Sequence, residues 1–423
     1  MSDAGRAIDV VVIGGGQSGL AMSACLSQLS IDHVVIERGS VAHSWVTQRW
    51  DSLRLLTPNW MSHLPGAEFG GQPDEFAEVA DLVEFLRQYC DLISAPLSVG
   101  TSVTSVRQID GGFRVDTDQG SWNCRAVVLA TGSYTVAKTP PFADSLPGSL
   151  DRLSALEYRN PDQLDDGGVL VVGASATGVQ LADELLRSGR HVTIAVGNHV
   201  RMPRTYRERD IQWWMNESGV MDEAYDEVDD ITRARKVPSA QLTGTPERRS
   251  LDLNSLVDDG ARVVGRLGAI RDRTAQFSGG LRNQCTLADL KMNRLLDTID
   301  EWADAHDLGG STDAERFAPT EIGDPPMELD LTDGSIRTVL WANGFAPDHS
   351  WLDVDVVDHK GRVRHDGGVC PVPGLYLIGG PFLRRRKSSF LHGTDDDARD
   401  LTDHLFAYLS GHVGKGPDVT ASA

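Results

Sequence analysis

Two six-residue loops in this 423-residue chain carry small residues at the spacing that lets backbone approach phosphate. The first is Gly14-x-Gly16-x-x-Gly19 and the second is Gly173-x-Ser175-x-x-Gly178. In such a loop the first glycine permits a tight turn. The middle one lets a pyrophosphate approach, and the third lets helix and sheet pack closely. The helix that follows offers free N–H groups and the positive end of its dipole. Glu37 lies 18 residues after Gly19, where a carboxylate holds ribose hydroxyls. The first ligand therefore has a free ribose, as FAD and NAD do. In the second loop Ser175 costs some room but offers a hydroxyl to a phosphate. The matching position after its second strand is Val196, followed by Gly197, so no carboxylate stands there. Arg201 and Arg204 follow. A carboxylate would repel a 2′-phosphate, whereas arginine pairs with one bidentately. The second ligand thus reads as NADPH. The alternative is that these arginines pair with surface acids.

The elements that must position these loops are legible around them. Ile8 to Ile13 is a mostly apolar strand of the kind buried on both faces. Ala21, Ala24, Cys25 and Leu29 recur at helical spacing, and His33 to Ile36 forms the next strand. The unit repeats at Val169–Val172, in a helix through Val179, Ala182, Leu185 and Leu186, and in a strand at His191–Val196. Two dinucleotide units in one chain imply an α/β fold with two Rossmann-like domains.

Composition narrows the partners. Forty Lys and Arg against 61 Asp and Glu give a net charge of −21, which repels nucleic acid and anionic membranes. No apolar run approaches the ~20 residues of a membrane span. The run at Val10–Ile13 is too short for a signal-peptide core. Cys25, Cys90, Cys124, Cys285 and Cys370 are odd in number and never spaced C-x-x-C. That speaks against a redox disulfide, a zinc site or a disulfide framework, and for reduced thiols in the cytoplasm. No metal is expected.

Several ordered stretches together resemble the flavin-containing monooxygenases, and within them a bacterial branch of flavoprotein monooxygenases. "HSWVTQRWDSLRLLTPNWMSHLPG" is similar to the segment under the isoalloxazine, with Trp45 at the family's tryptophan. "VVLATGSY" carries the A-T-G motif Ala130-Thr131-Gly132, "LSALEYRNP" the hinge, "LWANGFAPDHSWL" the second crossing, and "GLYLIGGPFLRRRKSSFLHGTDDDA" the C-terminal flavin stretch. The resemblance covers nearly the whole chain. It implies an NADPH-binding domain inserted into a discontinuous FAD domain: 1–145 and 335–415 for FAD, 146–334 for NADPH with a helical insert at about 205–330, and a tail at 416–423. It further implies FAD contacts at Gln17, Ser18, Arg38, Ser44, Trp45, Thr57, Val103 and Gly379, and NADPH contacts at Ala176 and Thr177. The implied activity is NADPH-dependent FAD monooxygenation. A C4a-(hydro)peroxyflavin would pass one oxygen atom from O2 to a small organic substrate. A homodimer is the usual assembly of such folds.

The departures from the family pattern fall near the chemistry. Ser154 and Ala155 stand where histidine and a small hydroxyl residue are expected, with Tyr158 and Arg159 kept. Leu56 replaces the family's flavin-facing asparagine, and Asn59 lies three residues on as its candidate substitute. Lys387, in the basic patch "LRRRKSS", is the second candidate catalytic residue; the patch suits a flavin phosphate, NADPH, an anionic substrate or surface ion pairs equally. A helix starting near Thr394-Asp395 would aim its positive end at the flavin. Met292, Leu295, Leu296, Ile299 and Trp302 share one helical face, read as structural. Trp213-Trp214 reads as core packing, ahead of a substrate channel. Alternatives to the monooxygenase are an FAD-dependent NADPH dehydrogenase or oxidase, a disulfide reductase and a non-catalytic flavoprotein. An amine or sulfide heteroatom, an indole-like ring and a ketone all remain open as the site of oxygenation.

Overall fold

The computed structural model describes residues 5–308 and 316–412; the expected tail at 416–423 lies outside them. The mostly apolar strand β1 (Arg6–Ile13) runs into α1 (Gln17–Gln28) and returns as β2 (His33–Ile36). Val10, Val11 and Val12 are fully buried, each contributing about 1.5–3 kcal/mol of hydrophobic stabilisation. Ser18 to Leu26 are buried without interruption. A surface helix would bury a single stripe, whereas α1 is sandwiched. The amphipathic α2 (Val79–Leu92) opens with a reciprocal capping box between Glu78 and Asp81, which satisfies two otherwise orphaned N–H groups.

An antiparallel arm follows: β3 (Val103–Ile109), β4 (Gly112–Thr117) and the long β5 (Gly120–Leu129). β5 runs parallel to β1 at its other edge, with Ile13 opposite Leu129. The first sheet therefore has the order Leu352–Asp353, β3, β4, β5, β1, β2, Leu97–Ser98.

The second sheet begins at β6 (Asp151–Ser154) and repeats the opening unit as β7 (Gly168–Val172), α3 (Ala176–Arg187) and β8 (Val192–Val196). β9 (Arg262–Gly265) lies beside β8. The long α4 (Leu281–Ala305) buries Met292, Leu296 and Ile299. These pack with Trp214 and Met202 in one cluster, so both the helix and the tryptophan pair serve packing. β10 (Ile336–Trp341) inserts between β6 and β7. The sheet order is β6, β10, β7, β8, β9, all parallel.

Two expectations change here. The stretch at 205–330 is not one helical insert. It contributes β9 to the second sheet, and a three-stranded antiparallel sheet of Leu267–Arg271, Thr274–Phe277 and Glu328–Asp330. The chain also returns to the first domain later than residue 335, because β10 belongs to the second sheet and only the segment after Trp341 crosses back. The outgoing and returning crossings pair with each other as short antiparallel strands, Phe345 opposite Ala137 and Ala346 opposite Val136. β11 (Leu375–Leu377) then joins β5, and α5 (Leu391–Leu409) packs on α1. The second sheet is thus nested within the first, as the resemblance implies.

A Cβ on Gly178 would sit 2.0 Å from the Gly173 carbonyl oxygen, and backbone must shift to admit it. Gly178→Ala should cost about 2–3 kcal/mol of stability, read as a lowered midpoint in chemical denaturation. An unchanged midpoint would show that the loop does not need this contact.

Candidate active site

The two glycine loops are near-copies in backbone. Gly14 and Gly173 have φ of 115° and 116°. A Cβ on Gly14 would meet the Ala130 carbonyl oxygen at 2.5 Å, and one on Gly173 would meet that of Ala342 at 2.4 Å. Gly19 and Gly178 lie against the carbonyls of Gly14 and Gly173. The middle positions differ in kind. A Cβ on Gly16 would meet open space, and Ser175 adopts nearly the same extended conformation, φ −81° against −88°. The fold itself requires the first and third glycines, so Ser175 costs the protein nothing. Neither α1 nor α3 has a side-chain cap or an acid in its first turn. Their leading N–H groups are available to an anion, although that of Ala176 has the Ser239 carbonyl at 3.4 Å.

Glu37 is 8% exposed and accepts the N–H of Gly15 at 2.7 Å and that of Gly39 at 2.9 Å. It braces the first loop, and its remaining lone pairs suit ribose hydroxyls. Gly379, at φ 79°, would drive a Cβ to 2.4 Å from the Oγ of the buried Ser18. Arg38 is exposed just beyond β2.

One cavity of about 1810 Å³ joins both loops. That exceeds the ~300–1,000 Å³ of an ordinary single-ligand pocket. Gln17, Trp45, Thr57 and Gly132 line it on the first-domain side, and Gly173, Ser175, Ala176 and Thr177 on the second. Ser44 precedes Trp45 on the short helix His43–Thr47, and Thr131 precedes Gly132. Although the chain carries −21, this wall holds ten Arg or Lys residues and one acid, Asp358. Such charge segregation suits polyanionic ligands. Leu391, the first residue of α5, also lines the cavity. The helix thus begins three residues before the expected Thr394, and its positive end meets the site.

Several expected site residues are placed elsewhere. Arg201 is 4% exposed. It donates to Asp252 at 2.9 Å, and to Asp289 at 2.8 Å and the Ala318 carbonyl at 2.7 Å. Arg204 is fully buried; it pairs with Asp210 and donates to the Leu56 carbonyl at 2.8 Å. Both have their charge neutralised inside the protein, so neither faces a 2′-phosphate. Arg204 instead positions Leu56 in the cavity wall. The cation at the end of β8 is Arg266, which follows β9, crowds Gly197 and lies 3.3 Å from the Asn198 side-chain oxygen. Its signal in the sequence was the basic residue closing "ARVVGR", visible only once that strand is placed beside β8.

Asn59 is buried and donates to the Gln72 carbonyl at 3.0 Å, so it pins a loop and does not line the cavity. The Lys387 ammonium bridges Asp222 and Asp396 at 2.6 Å each. Burial lowers its pKa, but the two carboxylates outweigh burial and hold it above its ordinary value. The rest of the "LRRRK" patch is paired likewise, Arg384 with Asp400 and Arg386 with Glu223. Val103 opposes Thr117 in the antiparallel arm, away from the cavity. Ser154 turns its hydroxyl onto Glu157 at 2.7 Å, a local brace for the hinge.

All five cysteines are buried and unbridged, and none lines the cavity. Burial pushes Cys25 up to about 11 and Cys124 and Cys285 up to about 12; these thiols are inert as nucleophiles. His392, in the first turn of α5, is 4% exposed, and neither ring nitrogen has a partner. Burial first, then Lys387 and His63, push its pKa down to about 3.

A large basic cavity joining two Rossmann-like loops defines an oxidoreductase fold with two dinucleotide-type domains. The chain belongs to the pyridine nucleotide-disulphide oxidoreductase family, whose model matches residues 11–236. It is 28% identical over 403 residues to an oxidoreductase CzcO-like protein of Geobacillus kaustophilus, spanning 94% of this chain and 98% of that one. A probable indole-3-pyruvate monooxygenase, YUCCA9 of Arabidopsis thaliana, is 28% identical across 46% of this chain and 48% of its own. The flavin-containing monooxygenase of Stenotrophomonas maltophilia shares the fold at 21% identity and a TM-score of 0.68, covering 96% of this chain and 99% of that one. The bacillithiol disulfide reductase of Staphylococcus aureus shares it at 12% and 0.60, covering 95% and 99%.

Two measurements check these placements. Arg201→Ala strands two largely buried carboxylates and should cost about 3 kcal/mol or more, whereas the exposed Arg266→Ala should shift stability by less than about 0.5 kcal/mol. Equal melting temperatures for the two variants would contradict the assignment. The depressed His392 pKa means that the unfolded chain takes up a proton below 6.5 while the folded one resists until about 3. Stability is therefore lost as pH falls. His392→Leu should flatten the loss between pH 7 and pH 5 by about 2 kcal/mol; an unaltered slope would refute a buried neutral ring.

Proposed function

We propose that the protein is an NADPH-dependent FAD monooxygenase that transfers one oxygen atom from O2 to a small organic substrate. The observation that carries this reading is the single cavity, lined by both glycine loops and by no cysteine. A dithiol relay has no residues there, so reducing equivalents arriving at the flavin are left for oxygen. FAD supplies the redox chemistry when bound, taking hydride from NADPH and activating O2.

The chain's own residues bind, orient and exclude water. Gly14, Gly16 and Gly19 with the first turn of α1 would hold the FAD pyrophosphate, and Glu37 its ribose. Gly173 to Gly178 and α3 would hold the pyrophosphate of NADPH, with Arg266 as the partner of its 2′-phosphate. Trp45, Leu53, Leu56 and Phe345 form an apolar wall that excludes water from the reacting centre. The free N–H end of α5 would favour negative charge on the reduced ring. The printed names of the relatives, a flavin-containing monooxygenase and an indole-3-pyruvate monooxygenase among them, support the reaction class. The cytoplasm and a homodimer remain part of this reading; no helix among the described residues is long and apolar enough to cross a membrane.

A second reading rests on one observation. Leu56 presents an apolar side chain where the family carries an amide, which would leave an NADPH oxidase that reduces O2 without oxygenating substrate. Product mass spectrometry under 18O2 separates the two, since label in the organic product is expected only of the monooxygenase.

Anaerobic NADPH should bleach the yellow protein; failure to bleach would sink both readings. Gly16→Val should fold normally, because its side chain meets open space, yet purify colourless. Arg266→Ala should raise the KM for NADPH by about tenfold or more and leave that for NADH nearly unchanged; equal losses would remove Arg266 from the 2′-phosphate.

A further inference from the structure

Arg49 is a half-buried cation of the cavity wall that belongs to neither glycine loop. It follows the short helix His43–Thr47, and its guanidinium lies 4.9 Å from the ring centre of Trp45. One Nη donates to the Gln48 carbonyl at 2.8 Å. A guanidinium has five N–H donors, so a bidentate fork remains. The titratable groups that act on it are Tyr134 and a second cation, Arg159. Arg159 spends its own donors on the carbonyls of Leu156, Tyr158 and Thr47. Among the described residues no carboxylate pairs with Arg49. Three other half-buried arginines of the same wall are compensated, Arg54 by Glu78, Arg364 by Asp355 and Arg386 by Glu223, while Arg235 spends its donors on the Phe382 and Leu383 carbonyls.

The same wall carries large apolar and aromatic side chains, among them Trp45, Trp50, Leu53, Tyr134 and Phe345. Tyr134 and Phe345 meet edge to face with ring centres 5.5 Å apart. A half-buried cation beside a like charge lacks an anion to complete it, and solvent screens it poorly. The phosphates of two dinucleotides already have their loops, helix ends and Arg266.

We infer that Arg49 anchors a carboxylate on the substrate, which makes the substrate class an apolar or aromatic body bearing a carboxylate. The inference rests on reading the cavity as the oxygenation site. The carboxylate lies across the guanidinium fork with two parallel hydrogen bonds, while Trp45 and Tyr134 flank the apolar body.

The test titrates the oxidised flavoprotein with benzoate, 3-phenylpropanoate and 2-naphthoate, and with their methyl esters, following the flavin absorption spectrum. At least one acid should bind about tenfold or more tightly than its ester. Arg49→Gln should abolish that difference, and Arg49→Lys should keep part of it. In both variants the FAD content, the melting temperature and the Kd for NADPH should stay within about twofold or a few degrees of wild type. Esters that bind as well as acids, or no binding by any acid, would overturn the inference. So would an Arg49→Gln protein that loses FAD or NADPH affinity and keeps the acid preference, because the cation would then serve a dinucleotide. Loss of folding in Arg49→Gln leaves the acid–ester comparison in wild type and Arg49→Lys to decide. A protein bleached by NADPH that ignores the carboxylate loses this inference alone; one that prefers acids but resists NADPH loses the reading of the cavity.

Discussion

The third glycine of each loop lies against the carbonyl oxygen of the first, and the rest of the molecule is arranged around that contact. It brings the start of a helix onto the end of its own strand so closely that no Cβ fits. From it follow the direction of α1 and α3, the placement of their unsatisfied N–H groups, and the open space above Gly16 and Ser175. Even the crossings obey it. Ala130 and Ala342 come to the first glycines at the two places where the chain passes between domains, so the loops and the domain junctions are built from the same contacts.

Electrostatics reinforces this geometry by sorting charge. The surface is acidic, yet the cavity wall is basic. The sorting works through pairing. Arginines that the fold needs for itself, such as Arg201, Arg204 and Arg385, are matched with aspartates in buried or half-buried networks. Arg49 and Arg266 meet the cavity with no carboxylate paired to them among the described residues, which leaves them for ligands. Position along the chain says little about which group an arginine joins; what matters is whether an acid from a distant segment reaches it.

That distinction explains what the sequence reveals and what it conceals. The strand–loop–helix–strand units were legible because each is local: glycine spacing, an apolar strand and a helical repeat sit within about 30 residues. Glu37 was legible for the same reason. Arg201 and Arg204 misled because they follow β8 closely in sequence. Asp252 and Asp289, the partners of Arg201, come from segments folded over it much later, and Arg204 is turned inward to Asp210 and the Leu56 carbonyl. Lys387 misled likewise, its acid Asp222 lying 165 residues away. Arg266 escaped notice because its relevance depends on the pairing of β8 with β9. The late return of the chain at Trp341 was hidden because β10, an apolar strand, suits either sheet.

The paired crossings have a mechanical consequence. Two independent linkers would let the nested domain swing and twist. Here the outgoing and returning segments are zipped into one antiparallel ribbon, tied by Lys138 to the Gly344 carbonyl and by the Thr135 hydroxyl to the Ala346 carbonyl. A hydrogen-bonded ribbon resists shear in its plane and flexes across its face. The two crossings are therefore coupled, and neither can shift along its length without breaking the bonds it makes to the other.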